Sequence, residues 1–80
     1  MLGAGIQEVD IHGMNTYQAK TYLDSQLRKT KAYRLRVIHG YHGGTQLQSF
    51  VRKEYKGHPK VLRIEVGLNQ GETDLVLKEY

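Results

Sequence analysis

An 80-residue chain has room for one domain and no second, since it buries only about 60–65% of the surface its unfolded form exposes, enough for one sheet and a couple of helices. The absence of cysteine excludes a disulfide scaffold and any thiolate metal site, so an apolar core must hold the fold. Twelve Lys and Arg against eight Asp and Glu give a formal net charge of +4, which favours a polyanionic partner, and no apolar run approaches the roughly 18 residues that span a bilayer.

The opening MLGAGIQE has neither the basic region nor the apolar stretch of a secretion signal. Residues 1–5 are expected to be a flexible leader, residues 6–80 a single domain, and the protein cytoplasmic with no membrane association. IQEVDI at 6–11 is rich in β-branched residues and alternates imperfectly, which predicts a first strand stopping at His12-Gly13. Asn15 followed by Gln18 has the spacing of a capping box. Ala19, Tyr22, Leu23 and Leu27 then recur at helical spacing to about residue 30, with Lys20, Asp24, Arg28 and Lys31 left for the wet side.

YRLRVI at 33–38 alternates Arg34 and Arg36 with apolar neighbours, a half-buried strand, and it too ends in Ile-His-Gly. The glycine pair Gly43-Gly44 suits a tight turn, after which Leu47, Phe50, Val51 and Tyr55 predict a second helix over about 45–56. Gly57-His58-Pro59 ends it. VLRIEV at 61–66 predicts a third strand, GLNQGE a turn, and TDLVLKE at 73–79 a fourth strand. No linker or charge block interrupts the chain.

The resulting order, β-α-β-α-β-β, is that of an α/β chain folded as a two-layer α+β sandwich, a four-stranded mixed sheet with two helices. Its first two strands run parallel through a right-handed crossover. Both Ile-His-Gly triplets then end at the carboxyl edge of the sheet, where loops and helix N-termini converge and ligands usually bind. Asp10 and His12, two apart on a strand, point to one face. A phosphodiester-cleaving site needs a base, an acid and donors for the phosphate oxygens. Asp10, His12 and His39 are the candidate catalytic residues, because imidazole populates both protonation states near neutral pH and a carboxylate can orient it. Backbone amides at Gly43, Gly44 and Thr45, opening a helix, would offer donors to phosphate. Arg34, Arg36, Lys53 and Lys60 are candidates for flanking phosphates, Tyr41 for stacking a base, and Gly40 and His42 of the same loop for further contacts to the nucleic acid. A divalent metal is a further option, with Asp10, His12, His39 and His42 to supply ligands, although their spacing matches no zinc motif. No organic cofactor is implied.

Asp10-Ile11-His12-Gly13-Met14 before a capped helix resembles the first motif of the Smr (small MutS-related) domain family, aspartate, any residue, histidine, usually with glycine next. His39-Gly40-Tyr41-His42-Gly43-Gly44 resembles its second motif, histidine-glycine-any-glycine. GLNQGETDLVLKE looks like its final loop and strand. Two departures stand out: His42 occupies the place of the second glycine, and Gln48 follows Leu47 where an arginine is common. The resemblance implies a fold similar to the C-terminal domain of translation initiation factor three. It also implies nucleic-acid binding, endonuclease activity as reported for some members, and a ribosome or MutS-like protein as context. Two other classes share the same residues: a binding module without catalysis, and a protein-interaction domain in which the motifs are structural.

Overall fold

The structure, a computed structural model, describes residues 5–40 and 45–78. The elements follow the expected order: β1 (Ile6–Asp10), α1 (Thr16–Lys29), β2 (Arg34–Ile38), α2 (Gln46–Tyr55), β3 (Arg63–Glu65) and β4 (Glu72–Val76). They form one sheet in the order β1-β2-β4-β3, with β1 and β2 parallel and β4 antiparallel to both of its neighbours. Among the described residues, no helix is long and apolar enough to cross a membrane.

Local chemistry sets the helix ends. At the start of α1 the Gln18 amide donates to Asn15 Oδ1 at 2.8 Å and the Asn15 amide to Gln18 Oε1 at 3.0 Å, the reciprocal bonds of a capping box. At the end of α2, Gly57 takes φ +87°, a left-handed conformation that stops a helix at little cost only when no Cβ is present. The Gly5 carbonyl, just before β1, accepts from the amides of Tyr33 and Arg34.

Register decides which side chains meet. Leu35 pairs with Leu75 and Val37 with Thr73 across β2 and β4, while Val9 pairs with Val37 across β1 and β2. These residues share one face with Ile64 of β3. Ala19, Leu23 and Leu27 of α1 and Val51 and Tyr55 of α2 join Val9, Leu35, Val37 and Leu75 in one buried core. Each fully buried Leu, Val or Ile contributes roughly 1.5–3 kcal/mol, against about 0–1 kcal/mol for an exposed ion pair, so this apolar layer dominates. Tyr55 is the largest buried side chain. Its hydroxyl donates to Asp24 Oδ1 at 2.8 Å, and Lys20 bridges Asp24 and Glu54, tying the two helices together.

The opposite face of the sheet carries charge instead. Arg34 and Arg36 of β2 both reach Asp74 of β4, at 2.8 and 3.0 Å, and Arg34 also pairs with Glu65 of β3 at 2.8 Å. Two elements depart from expectation. The third strand is shorter than 61–66: the Val61 amide is used to close the preceding turn on the His58 carbonyl, and regular pairing runs only over Arg63–Glu65. The fourth begins at Glu72 and ends at Val76, and Thr73 through Val76 are all buried rather than alternating. Its place between β2 and β3 pairs both of its edges, the helices cover one face, and Arg34 and Arg36 reach across Asp74 on the other; strand order is a property of the assembled sheet.

Candidate active site at the carboxyl edge of the parallel strands

The parallel pair brings the ends of β1 and β2 to the same edge, but the two Ile-His-Gly triplets are not equivalent there. Asp10 pairs with Ile38. Continued by one step, the register sets Ile11 beside His39 and His12 beside Gly40, and the Ile11 amide donates to the Ile38 carbonyl at 2.9 Å. A single-residue offset turns a strand's side chains to the opposite face. Thus Ile11 and His39 face the helical layer and are buried, while His12 stands outside.

His12 lies 72% exposed in its side chain, with Nδ1 2.5 Å from Asp10 Oδ1, and its amide donates to the same oxygen at 3.0 Å. These two bonds, the ring contact first, hold the Asp10 carboxyl below its usual value. Asp10 is therefore ionised at neutral pH, and a ring that donates from Nδ1 to it leaves Nε2 with a free lone pair. Gly40 sits directly alongside: a Cβ there would lie 3.7 Å from the His12 Cβ, and its φ of +74° is one that residues with side chains avoid.

His39 is 4% exposed and both of its ring nitrogens have partners within the protein. Nδ1 lies 2.9 Å from the Gly40 carbonyl oxygen and Nε2 2.9 Å from Thr73 Oγ1. A carbonyl oxygen only accepts, so Nδ1 carries a proton. In the neutral ring Nε2 then accepts from the Thr73 hydroxyl. The Thr73 oxygen in turn accepts from Arg52 Nε at 3.1 Å. The chain of donors runs from α2 through β4 to the end of β2. The backbone is clamped as well: the amides of His39 and Gly40 both donate to the Gly71 carbonyl, at 2.9 and 3.0 Å. Gln48 of α2 holds the same loop by donating to the Gln70 carbonyl at 3.2 Å.

The other sequence candidates disperse. Tyr41, His42, Gly43 and Gly44 lie outside the described residues. Thr45 is the N-cap of α2, and its side chain makes no capping hydrogen bond. Arg34 and Arg36, expected to hold flanking phosphates, are matched to carboxylates on the open face of the sheet. Lys53 is exposed on α2. Lys60 precedes β3, whose first residue pairs with Val76 and hence lies level with Arg34, so it sits at the opposite end of the sheet from His12. Among the described residues no three His, Asp or Glu side chains gather to hold a metal, because the His39 ring turns inward while His12 and Asp10 stay outside. Thr73 and Arg52 escaped the sequence reading. Thr73 left a signal, a hydroxyl at the same strand parity as Leu75, where an apolar residue is expected; Arg52 left none.

The Smr domain family profile matches residues 9–74, from the end of β1 to β4. The chain belongs to the Smr domain family. The crystal structure of the Smr domain of Thermus thermophilus MutS2 superposes with a TM-score of 0.82 at 22% identity, covering 91% of this chain and 99% of that one. No curated protein gives a significant sequence match. The mixed sheet with two helices is thus the Smr fold.

Proposed function

We propose that this Smr domain binds nucleic acid and cleaves its phosphodiester backbone at the Asp10–His12 pair, acting on RNA in preference to DNA. The observation that carries the reading is the exposed 2.5 Å contact between His12 Nδ1 and Asp10 Oδ1 at the carboxyl edge of the parallel strands. Asp10 fixes the ring with Nε2 outward and stabilises the imidazolium that forms when Nε2 takes a proton. A ribose 2′-hydroxyl is the nucleophile within reach of such a base. Its oxygen attacks the adjacent phosphorus, the bond to the 5′-oxygen breaks, and that oxygen leaves with a proton from solvent, giving a 2′,3′-cyclic phosphate and a 5′-hydroxyl.

His39 has a different part in this reading. With both nitrogens bonded inside the protein it exchanges no proton with substrate; it positions Gly40 through the carbonyl it holds, and Gly40 packs beside His12. The test is cleavage of labelled single- and double-stranded RNA and DNA by the purified domain, with and without chelator, beside His12→Ala. Cleavage of RNA that survives chelation, is blocked by a 2′-deoxy substitution at the scissile position, and falls by roughly 10²–10⁴-fold in His12→Ala is the expected result. Binding without cleavage by the native protein would reduce the reading to a nucleic-acid-binding module.

A further inference from the structure

Charge is distributed unevenly over this domain. Lys20, Arg34, Arg36 and Arg63 are each paired with carboxylates. Arg28, Lys56, Lys60 and Lys78 make no ion pair with a described residue, and all four are exposed. They follow from the topology: α1 and α2 both end, and β4 runs out, at the end of the sheet where β2 begins.

Two clefts lie there, and they share Leu62. One, of about 300 Å³, has Leu27, Leu62 and Leu77 in its lining together with Arg28, Lys60 and Lys78. The other, of about 410 Å³, is lined by Leu62 and Ile64 together with Arg52, Lys56 and Arg63. Among the described residues, no carboxylate lines either cleft. Leu62, 59% exposed, forms the saddle between them. Arg52 then connects the second cleft to the carboxyl edge, since its Nε donates to Thr73, the partner of His39.

Basic residues at helix C-termini also complement the helix dipole, and for Arg28 and Lys56 that alone would account for the residue type. It does not account for Lys60 and Lys78, which lie in a turn and beyond the last strand. Nor does it explain why these cations surround the exposed Leu62. A duplex presents a phosphate ridge to a surface and keeps its bases stacked inside. A single strand offers phosphates and bare base faces together, and these match a basic rim over an apolar floor.

Resting on the nucleic-acid reading above, we propose that the two clefts flanking Leu62 form one continuous tract for single-stranded nucleic acid. Phosphates are held by Arg28, Lys60 and Lys78 in the first cleft and by Lys56 and Arg52 in the second, and bases lie against the exposed Leu62 and the half-buried Leu77. The strand enters at the end of the sheet remote from the motifs and is led by Arg52 toward the edge that carries His12.

The test is fluorescence-anisotropy titration of the whole chain with labelled oligo-uridylate, oligo-thymidylate and a duplex, across a salt series. It is run on the native protein, on a combined Lys56→Gln, Lys60→Gln, Lys78→Gln variant, on Leu62→Ser, and on Lys20→Gln as a control for loss of one charge away from the clefts. Thermal melts check that each variant is folded. The expected result is single-strand binding that drops at least about tenfold in the triple variant, with a log–log salt slope shallower by about 2, near 0.7 for each phosphate left without its lysine. Leu62→Ser weakens binding with an unchanged slope, and Lys20→Gln binds within a few fold of native. Native binding that the triple variant and Leu62→Ser leave intact overturns the tract alone. No binding by the native protein at low salt overturns the nucleic-acid reading and the tract with it. Preference for the duplex, or equal displacement by polyglutamate at matched charge, overturns the single-strand assignment in favour of a duplex or an acidic protein segment.

Discussion

Thr73 Oγ1 lies 2.9 Å from His39 Nε2, on the buried side of a strand end whose other histidine is open to solvent. The hydroxyl has one proton to give and, with Arg52 already donating to its oxygen, the ring nitrogen is where that proton goes. Thr73→Val keeps the shape and removes both bonds, leaving a buried acceptor on His39 unsatisfied; Thr73→Ser retains them. The valine variant is expected to be less stable by about 1–3 kcal/mol and the serine variant by less. Nitrogen chemical shifts of the His39 ring should report the proton on Nδ1 in native protein and in Thr73→Ser. A proton on Nε2 would contradict the donor chain.

The two histidines should separate cleanly on substitution. His39→Ala removes a buried ring and strands Thr73 and Arg52, an expected loss of about 2–4 kcal/mol in urea titration. His12→Ala removes an exposed ring, and its stability should stay within about 0.5 kcal/mol of native. The activity losses should run the other way once each variant is assayed where it is folded, with His12→Ala the more severe.

Asp74 governs how the sheet responds to acid. Burial pushes its carboxyl up, but hydrogen bonds from Arg36 and Arg34, reinforced by their charges, leave it below the ordinary aspartate value. A group depressed in the folded state contributes stability that is complete above its unfolded pKa, near 3.9, and lost as pH falls through the lower folded value. Asp74→Asn should therefore cost about 1–3 kcal/mol at neutral pH, discounted from a fully buried pair because both arginines reach solvent. Denaturation curves of native and variant should converge as pH falls from about 4 toward 2. Parallel curves would show that Asp74 is not the group responsible.

Tyr55→Phe isolates the bond that joins the helices. The ring stays in the core, while Asp24 loses its 2.8 Å partner and keeps Lys20. Burial first, then the bond to Asp24, pushes the phenol well above its usual value, so this tyrosine should resist phenolate formation in alkaline spectrophotometric titration, and Tyr55→Phe should remove one late-titrating group. The Phe variant should lose about 1–2 kcal/mol of stability.

Gly40→Ala should destabilise by about 1–2 kcal/mol, because φ of +74° is costly for any residue with a Cβ. The added methyl meets the His12 Cβ only at ordinary contact distance, so the cost is conformational rather than a clash. Chemical shifts of the His12 ring should move in this variant, and an unperturbed ring would argue against the packing of Gly40 on His12.

Much of this protein was legible without coordinates. Apolar alternation in IQEVDI and RLRVI, the Asn15–Gln18 capping box and Gly57 are local signals whose physics acts within a few residues, and β1, α1, β2 and the end of α2 formed where those signals lie. The element order fixed a parallel β1–β2 pair, and with it the edge that both histidine motifs share. What the chain could not disclose was register. Two identical Ile-His-Gly triplets read alike in sequence, yet β1 pairs with β2 one residue out of step with that repeat, Asp10 against Ile38. Because side chains alternate with a period of two, that single step sends His39 inward to Thr73 and Arg52 and leaves His12 outside with Asp10. The same long-range pairing set Arg34 and Arg36 against Asp74 and gathered Arg28, Lys60 and Lys78 at one pole. Apart from the local His12–Asp10 pair, these arrangements join residues far apart in the chain, and only packing the helices on the assembled sheet chooses among the registers that local preference allows.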